Sequence, residues 1–277
     1  MNDVDLRDAA ALCAYDPVAS VLAATRSEAI LATGGSSAAA TVWGMERGGT
    51  LDAMCWVGAN LVPVCDGDDV EALDAFADAA RRHGRRCSSI VGEARPALGL
   101  WERLQDAWGP ARDVRPDQPS LVMDALSPVP ADPQVRRARV DEIPLVLPAS
   151  VSMFVEEVGY SPVSGSPGAY EARVQSLVEA GRTFVRVEDG PDGPEVVFKA
   201  DLGAVSSQVA QVQGVWVAPR VRGRRLSEHG MAAVVEQTLG HVAPLISLYV
   251  NSYNAPALAC YTRVGFRQVG TYATVLF

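Results

Sequence analysis

The spacing of apolar and polar positions changes period along the chain, and each change marks an element. From Gln208 to Val217 the pattern is that of a strand: Val209, Val215 and Val217 are β-branched, Trp216 is aromatic, and Gln211 and Gln213 alternate with apolar neighbours. Pro219 has no N–H to give a ladder, so the strand stops near Ala218. A basic loop follows, Arg220-Val221-Arg222-Gly223-Arg224-Arg225, and then Met231, Val234, Val235 and Leu239 recur at helical spacing. A helix start has unpaired N–H groups and the positive end of the dipole. With arginines beside it, the turn makes an anion site that fits a pyrophosphate best. A solvated surface turn has the same composition, so the loop does not decide the matter by itself.

The rest of the chain reads in the same way. Residues 1–25 are helical, with Asp16-Pro17 opening an apolar face through Val18, Val21 and Leu22. Thr41–Met45 and Leu51–Val57 form a strand pair around Glu46-Arg47-Gly48-Gly49, and Leu61–Cys65 is a short strand. Val70–His83 is a helix ended by Gly84, Cys87–Val91 a buried strand, and Ala94–Trp108 a helix closed by Gly109-Pro110. Pro128, Pro130 and Pro133 favour extended backbone and mark 126–135 as a linker, dividing the chain into 1–125 and 136–277. Beyond it, Arg136–Val140 is a strand, and Asp141 caps a helix to about Glu157 with a disturbance at Pro148. Tyr160–Gly168 is a flexible loop and Tyr170–Ala180 a second helix. Thr183–Val187 and Glu195–Leu202 are a hairpin around Asp189–Gly193, Leu245–Val250 is a strand, and Phe266–Phe277 closes the sheet as two short strands. The order of elements in the first half echoes that of the second.

Charge and cysteine usage narrow the setting. A net charge of −9 on 277 residues argues against general nucleic-acid binding, so the arginines of the loop are a local device. Cys13, Cys55, Cys65, Cys87 and Cys260 show no metal-ligand spacing and read as buried thiols of a reduced, cytoplasmic protein. Three scattered histidines, His83, His229 and His241, suggest no metal site. No signal peptide or long apolar run points to secretion or to a membrane.

The loop reads further as Arg222-Gly223-Arg224-Arg225-Leu226-Ser227, and after the next strand come Asn254, Ala257, Tyr261 and Gly265-Phe266 in the spacing N-x-x-A-x-x-x-Y-x-x-x-G-F. These two motifs, in this order, resemble the pyrophosphate loop and second signature of the GNAT superfamily of acyl-CoA-dependent N-acyltransferases. The resemblance covers roughly the last half of the chain. It implies an α/β fold, a mixed and mostly antiparallel sheet flanked by helices. With the echo in the first half, it implies two such domains in tandem. Family members built this way act on thiols and amino compounds.

The resemblance also assigns roles. The backbone of Val215, Trp216 and Val217 would pair with the pantetheine arm of acetyl-CoA, and one of those N–H groups would polarise the thioester carbonyl. Amides from Arg222 through Gly223, Arg224, Arg225 and Leu226 to Ser227 would hold the pyrophosphate. Tyr261 stands where the family places a hydroxyl facing the CoA sulfur; otherwise it is a packed core tyrosine. Asn254 caps the helix opening at Ala255-Pro256, bonds the pantetheine amides, or does both. The general base is not evident. Glu156 and Glu157 lie near the segment that lines the acceptor site in the family, while Gln211 and Gln213 stand where many relatives place an acid and cannot act as bases.

Two departures stand out. Arg225 replaces the first motif glycine, which costs on the order of 1 kcal/mol if φ is positive there. In the first half the corresponding loop is Asp66-Gly67-Asp68-Asp69, whose carboxylates cap a helix well and repel a pyrophosphate. The expectation is therefore an acetyl-CoA-dependent N-acetyltransferase, metal-free, with a small-molecule or peptide amine as acceptor. No nucleic acid or membrane partner is expected, and the protein would be a monomer or homodimer. The alternatives are a non-catalytic acyl-CoA-binding or regulatory protein and a nucleotide-binding protein.

Overall fold

The computed structural model describes residues 4–34, 41–162, 167–191 and 193–277. Helices α1 (Leu6–Cys13) and α2 (Val21–Ala32) precede β1 (Thr41–Arg47), β2 (Thr50–Val57), β3 (Asn60–Val64), α3 (Val70–His83), β4 (Ser89–Glu93), α4 (Ala94–Trp108) and β5 (Asp113–Met123). The second half brings β6 (Arg136–Arg137), α5 (Ile143–Val158), α6 (Pro167–Glu179), β7 (Thr183–Gly190), β8 (Gly193–Val205) and β9 (Val209–Val217). It ends with α7 (Leu226–Thr238), β10 (Leu245–Tyr249), α8 (Ala255–Val264) and β11 (Arg267–Leu276).

The strands of the described residues form one sheet in the order β1-β2-β3-β4-β11-β5-β10-β9-β8-β7-β6. Two neighbouring pairs are parallel, β3/β4 and β9/β10; the others are antiparallel. This is the expected mixed, mostly antiparallel sheet flanked by helices. A parallel pair needs a crossover, and α3 and α7 supply it in the two halves. Both parallel ladders are short. β9 pairs with β10 only from Val209 to Gln211, so Val212–Val217 part from their neighbour and open a cleft in the sheet.

The centre of the sheet is an exchange of strands. β5, from the first half, pairs with β10; β11, the last strand, pairs with β4; and β5 and β11 pair with each other. Each half thus completes the ladder of the other.

Apolar faces cover both sides of the sheet. Phe198, Leu202, Met231, Val234 and Val264 form the core under α7 and α8, and Val146, Val174, Val178 and Val185 the core under α5 and α6. Phe76, Ile90, Leu100 and Leu104 pack under α3 and α4, and Leu6, Met54, Trp56 and Tyr272 under α1 and α2. Each large side chain fully buried in this way contributes about 1.5–3 kcal/mol.

Several details differ from the sequence reading. The stretch 126–135 joins the core of the second half: Val135 is buried, and Asp132 accepts a hydrogen bond from Arg186 at 2.6 Å. Two anchors suffice to hold a proline-rich segment that cannot build a core by itself. Asp141 does not cap α5; its carboxylate faces Arg139, and Glu142 instead accepts the Arg139 N–H at 2.8 Å and the Arg136 guanidinium at 2.6 and 2.7 Å. The helix continues through Pro148, where the N–H that proline lacks would have reached only the first turn. Arg136–Val140 keeps just two paired residues, and Phe266–Phe277 holds one long strand with two register shifts instead of two strands. Much of the loop expected at Tyr160–Gly168, and Asp192 of the hairpin turn, lie outside the described residues.

Candidate functional site

The cleft between β9 and β10 opens into a cavity of about 600 Å³. Its shape begins with a bulge in β9. The register against β8 shifts between Lys199 and Asp201, and opposite that shift Gly214 has φ 58°. A Cβ at Gly214 would stand 3.1 Å from Asp201 Oδ2, 3.1 Å from Met153 Cε and 3.3 Å from Lys199 Nζ, so only glycine fits without displacing them. Under the bulge lies an ion pair that the sequence reading missed. Lys199 Nζ meets Asp201 Oδ2, Thr183 Oγ1 donates to Asp201 Oδ1 at 2.8 Å, and Lys199 is only 1% exposed. The available signal was that Lys199 is the sole lysine of the chain and sits inside an apolar strand pattern.

Past the bulge, β9 ends at Val217, Pro219–Val221 make a 3-10 turn, and Arg225 is the N-cap of α7. Arg225 has φ 60°, the left-handed conformation that a glycine at this position would adopt freely. Its guanidinium turns to the side: Nε donates to Glu228 Oε2 at 2.8 Å, and Arg263 Nε donates to Glu228 Oε1 at 2.8 Å. Arg222 turns across the cavity mouth, with Nε donating to Val217 O at 2.9 Å and Nη2 lying 2.7 Å from Glu156 Oε2. Arg224 has no ion-pair partner among the described residues.

Tyr261, on α8, lines the cavity with its ring packed edge-on to Phe266 at 5.9 Å. Burial pushes its pKa well above that of an ordinary phenol, with Cys260 and Glu157 adding in the same direction, so the hydroxyl stays protonated at neutral pH. Asn254 caps α8, its Oδ1 accepting the Ala257 N–H at 3.2 Å.

The opposite wall carries the carboxylates. Glu156 accepts the Trp216 Nε1–H at 3.1 Å in addition to its contact with Arg222. Glu157 stands 3.5 Å from Arg115 Nη1, and its carbonyl accepts from Arg115 Nη2 at 2.9 Å. Gln118 also lines this wall, hydrogen-bonded to Asn251 Oδ1 at 2.8 Å and to Thr274 Oγ1 at 2.7 Å. It comes from β5, the exchanged strand, and nothing local in the sequence links it to a site so distant along the chain. Tyr249 completes the wall, its ring stacked on Tyr272 at 4.9 Å, and its hydroxyl pKa is pushed up to about 12 by burial. Gln211 and Gln213 bond each other at 2.9 Å.

The structure thus gathers Val215–Val217, the Arg222–Ser227 loop, Asn254, Tyr261, Glu156 and Glu157 around one cavity. Arg224 is the exception, since it does not line it. Loop and helix start offer positive charge at one end. On β9, the edge past Gln211 has no ladder partner on the β10 side, so its N–H and C=O groups are open to an extended amide chain. Among the described residues no group of His, Cys, Asp and Glu is close enough to hold a metal ion, and no helix is long and apolar enough to cross a membrane.

A cleft between parting parallel strands, ended by a basic turn and a helix start, is a place for an extended ligand that ends in an anion. Residues 177–266 match the model of the acetyltransferase (GNAT) family, and this part of the chain is a GNAT-family domain. Residues 40–146 match a domain of unknown function, DUF4081. A mycothiol acetyltransferase from Brachybacterium faecium is 35% identical over 75 residues, which are 27% of this chain and 23% of that protein. The match therefore spans about a quarter of the curated relative. Among solved structures, a Drosophila protein superposes over 100% of this chain and 97% of its own at 13% identity, with a TM-score of 0.67. A GCN5-related N-acetyltransferase from Kribbella flavida covers 93% of this chain and 95% of its own at 16% identity, with a TM-score of 0.53. A GNAT-family acetyltransferase from Colwellia psychrerythraea covers 87% and 86% at 12% identity, with a TM-score of 0.53. At these identities the likenesses show the fold.

Proposed function

We propose that the second half of the chain transfers an acetyl group from acetyl-CoA to a primary amine by direct attack in a ternary complex. The observation that carries this reading is the single cavity shared by the open edge of β9, the basic loop and the Tyr261 phenol. In this reading the backbone of Val215–Val217 pairs with the pantetheine arm, and one of its N–H groups polarises the thioester carbonyl. The amides of Arg222–Ser227 hold the pyrophosphate, with Arg222, Arg224 and Arg225 adding charge. Tyr261, held protonated by burial, gives its proton to the departing thiolate. Glu156 or Glu157, directly or through water, takes the proton of the amine. The acceptor enters on the wall of Gln118 and Tyr249 and is a small molecule or peptide amine.

The first half, 1–125, acts as a diverged copy of the same fold, joined through 126–135 to the catalytic domain at 136–277. The protein works in the cytoplasm as a monomer or homodimer, without a metal. One observation favours a second reading, a non-catalytic acyl-CoA binder: both candidate bases face arginines, Glu156 toward Arg222 and Glu157 toward Arg115. Incubation with acetyl-CoA and a panel of amines separates the two. Release of free CoA that depends on the amine supports the enzyme, and a thermal shift with acetyl-CoA without release supports the binder. Absence of any shift with millimolar acetyl-CoA would overturn both.

A further inference from the structure

The first half has a cleft of its own, and its chemistry is opposite to that of the second. β3 and β4 pair only at Asn60–Ser89 and Leu61–Ile90, then part, and beside them lies a cavity of about 620 Å³. Where the second half has its arginine loop, this cavity has Asp66 and Gly67, and Asp16 and Glu93 also line it. Its two lining arginines are already neutralised from outside, Arg95 by Asp68 and Arg267 by Asp124 at 3.3 Å. Lining Asp52 is paired with Arg47. Asp16, Asp66 and Glu93 form no ion pair within 4.0 Å among the described residues, although the Arg95 charge acts on Glu93 and Asp66; Asp16 accepts the Ala19 N–H and Asp66 the Asp68 N–H, each at 2.9 Å.

A second feature points to an occupant. Ser120 lines the cavity and is 4% exposed, yet its hydroxyl has no hydrogen-bond partner among the described residues. It faces Gly270 across the β5/β11 ladder, and a Cβ built on Gly270 meets nothing within 4 Å. Ser120 thus turns an unpaired hydroxyl to the open space of the cavity, where water or a polar group of a ligand would satisfy it. Between the carboxylates the wall is apolar, with Pro63, Val64, Val122 and Leu245. Because the carboxylates do not converge closely enough to hold a metal ion, they suit separate charges on one extended molecule.

We propose that this cavity binds an organic polycation, a chain carrying two or more protonated amines on an apolar backbone. Its ammonium groups pair with Asp16, Asp66 and Glu93, its methylenes lie on the apolar wall, and a terminal N–H donates to Ser120 Oγ. Burial pushes the Glu93 pKa up against the opposing N–H and charge of Arg95, and Asp16 and Asp66 add to the rise, so a further cation would relieve it. The site is separate from acetyl transfer in the second half and stands whether or not that activity does.

Spermidine is the probe, titrated calorimetrically into the full chain at low salt, with magnesium chloride at matched ionic strength as control. The expected result is saturable one-to-one binding that weakens steeply with added sodium chloride and that magnesium does not reproduce. Gly270→Leu fills the space beside Ser120 and should abolish binding. Glu93→Gln should weaken it about five-fold, the effect of one partly exposed charge pair. The urea unfolding midpoint of each variant, compared with the wild type, reports that the fold is intact. Absence of saturable spermidine binding in the wild type, equal binding in Gly270→Leu, or equal displacement by magnesium would overturn the proposal.

Discussion

Arg222 Nη2 lies 2.7 Å from one carboxylate oxygen of Glu156 and 2.9 Å from the other, across the mouth of the cavity in the second half. The guanidinium that would meet a phosphate is therefore already matched by an internal anion, from the wall where the amine would enter. On the proposed reading, a donor phosphate that takes Arg222 would release Glu156 to act as the base.

That pairing predicts the effect of Glu156→Gln on donor binding. Both side chains are nearly half exposed, 47% and 44%, so the pair is worth at most about 1 kcal/mol. Removing the competing charge should tighten acetyl-CoA binding by up to about five-fold at low salt, with the gain fading as salt rises. Titration calorimetry at two ionic strengths reads this directly. A weaker Kd in the variant would mean that Glu156 positions Arg222 instead of competing for it.

Tyr261→Phe should lower kcat and leave acetyl-CoA affinity nearly unchanged, because a proton given to the leaving thiolate matters only in the reaction. The phenol pKa is raised, so the protonated acid persists above the pH at which an ordinary tyrosine ionises. The wild-type rate should accordingly show no alkaline fall from Tyr261 at moderately basic pH. Equal turnover of the variant across the pH range would leave Tyr261 a packing residue.

Arg225→Gly sets strain against charge. Glycine removes the cost of a side chain at φ 60°, on the order of 1 kcal/mol. It also loses an ion pair in which Arg225 is 62% exposed and Glu228 keeps Arg263, a loss of about 0.2–1 kcal/mol. Stability should change by less than about 1 kcal/mol, a Tm shift of no more than about 2–4 °C. Acetyl-CoA binding should weaken modestly at low salt and match the wild type near molar salt. Tighter binding at every ionic strength would show that the arginine impedes the loop.

Lys199→Met should be costly. It leaves the Asp201 carboxylate, 7% exposed, with Thr183 but no counter-charge, and breaking a buried pair in this way costs about 3–5 kcal/mol. Adding Asp201→Leu to Lys199→Met should recover more than half of the loss, because no charge is then left buried. Urea unfolding of the two single variants and the double variant tests the coupling. Strictly additive losses would mean that the two residues do not act as a pair.

The sequence by itself determined what is local. The strand from Val209, the stop at Pro219, the basic loop and the following helix depend on neighbouring residues, whose propensities and spacing are written consecutively. The cap at Asn254 belongs to the same class, while the conformational demand at Arg225 was legible only from the motif that the loop resembles. The exchange of β5 and β11 was not, because pairing partners far apart in the chain leave no periodic trace in either segment. For that reason Gln118 could not be foreseen on the wall of the second-half cavity. The polar pairs Lys199–Asp201 and Glu156–Arg222 were also decided only by the fold. A charge's partner is set by which backbones pack together and how much water they exclude, and neither quantity is encoded at the position of the residue itself.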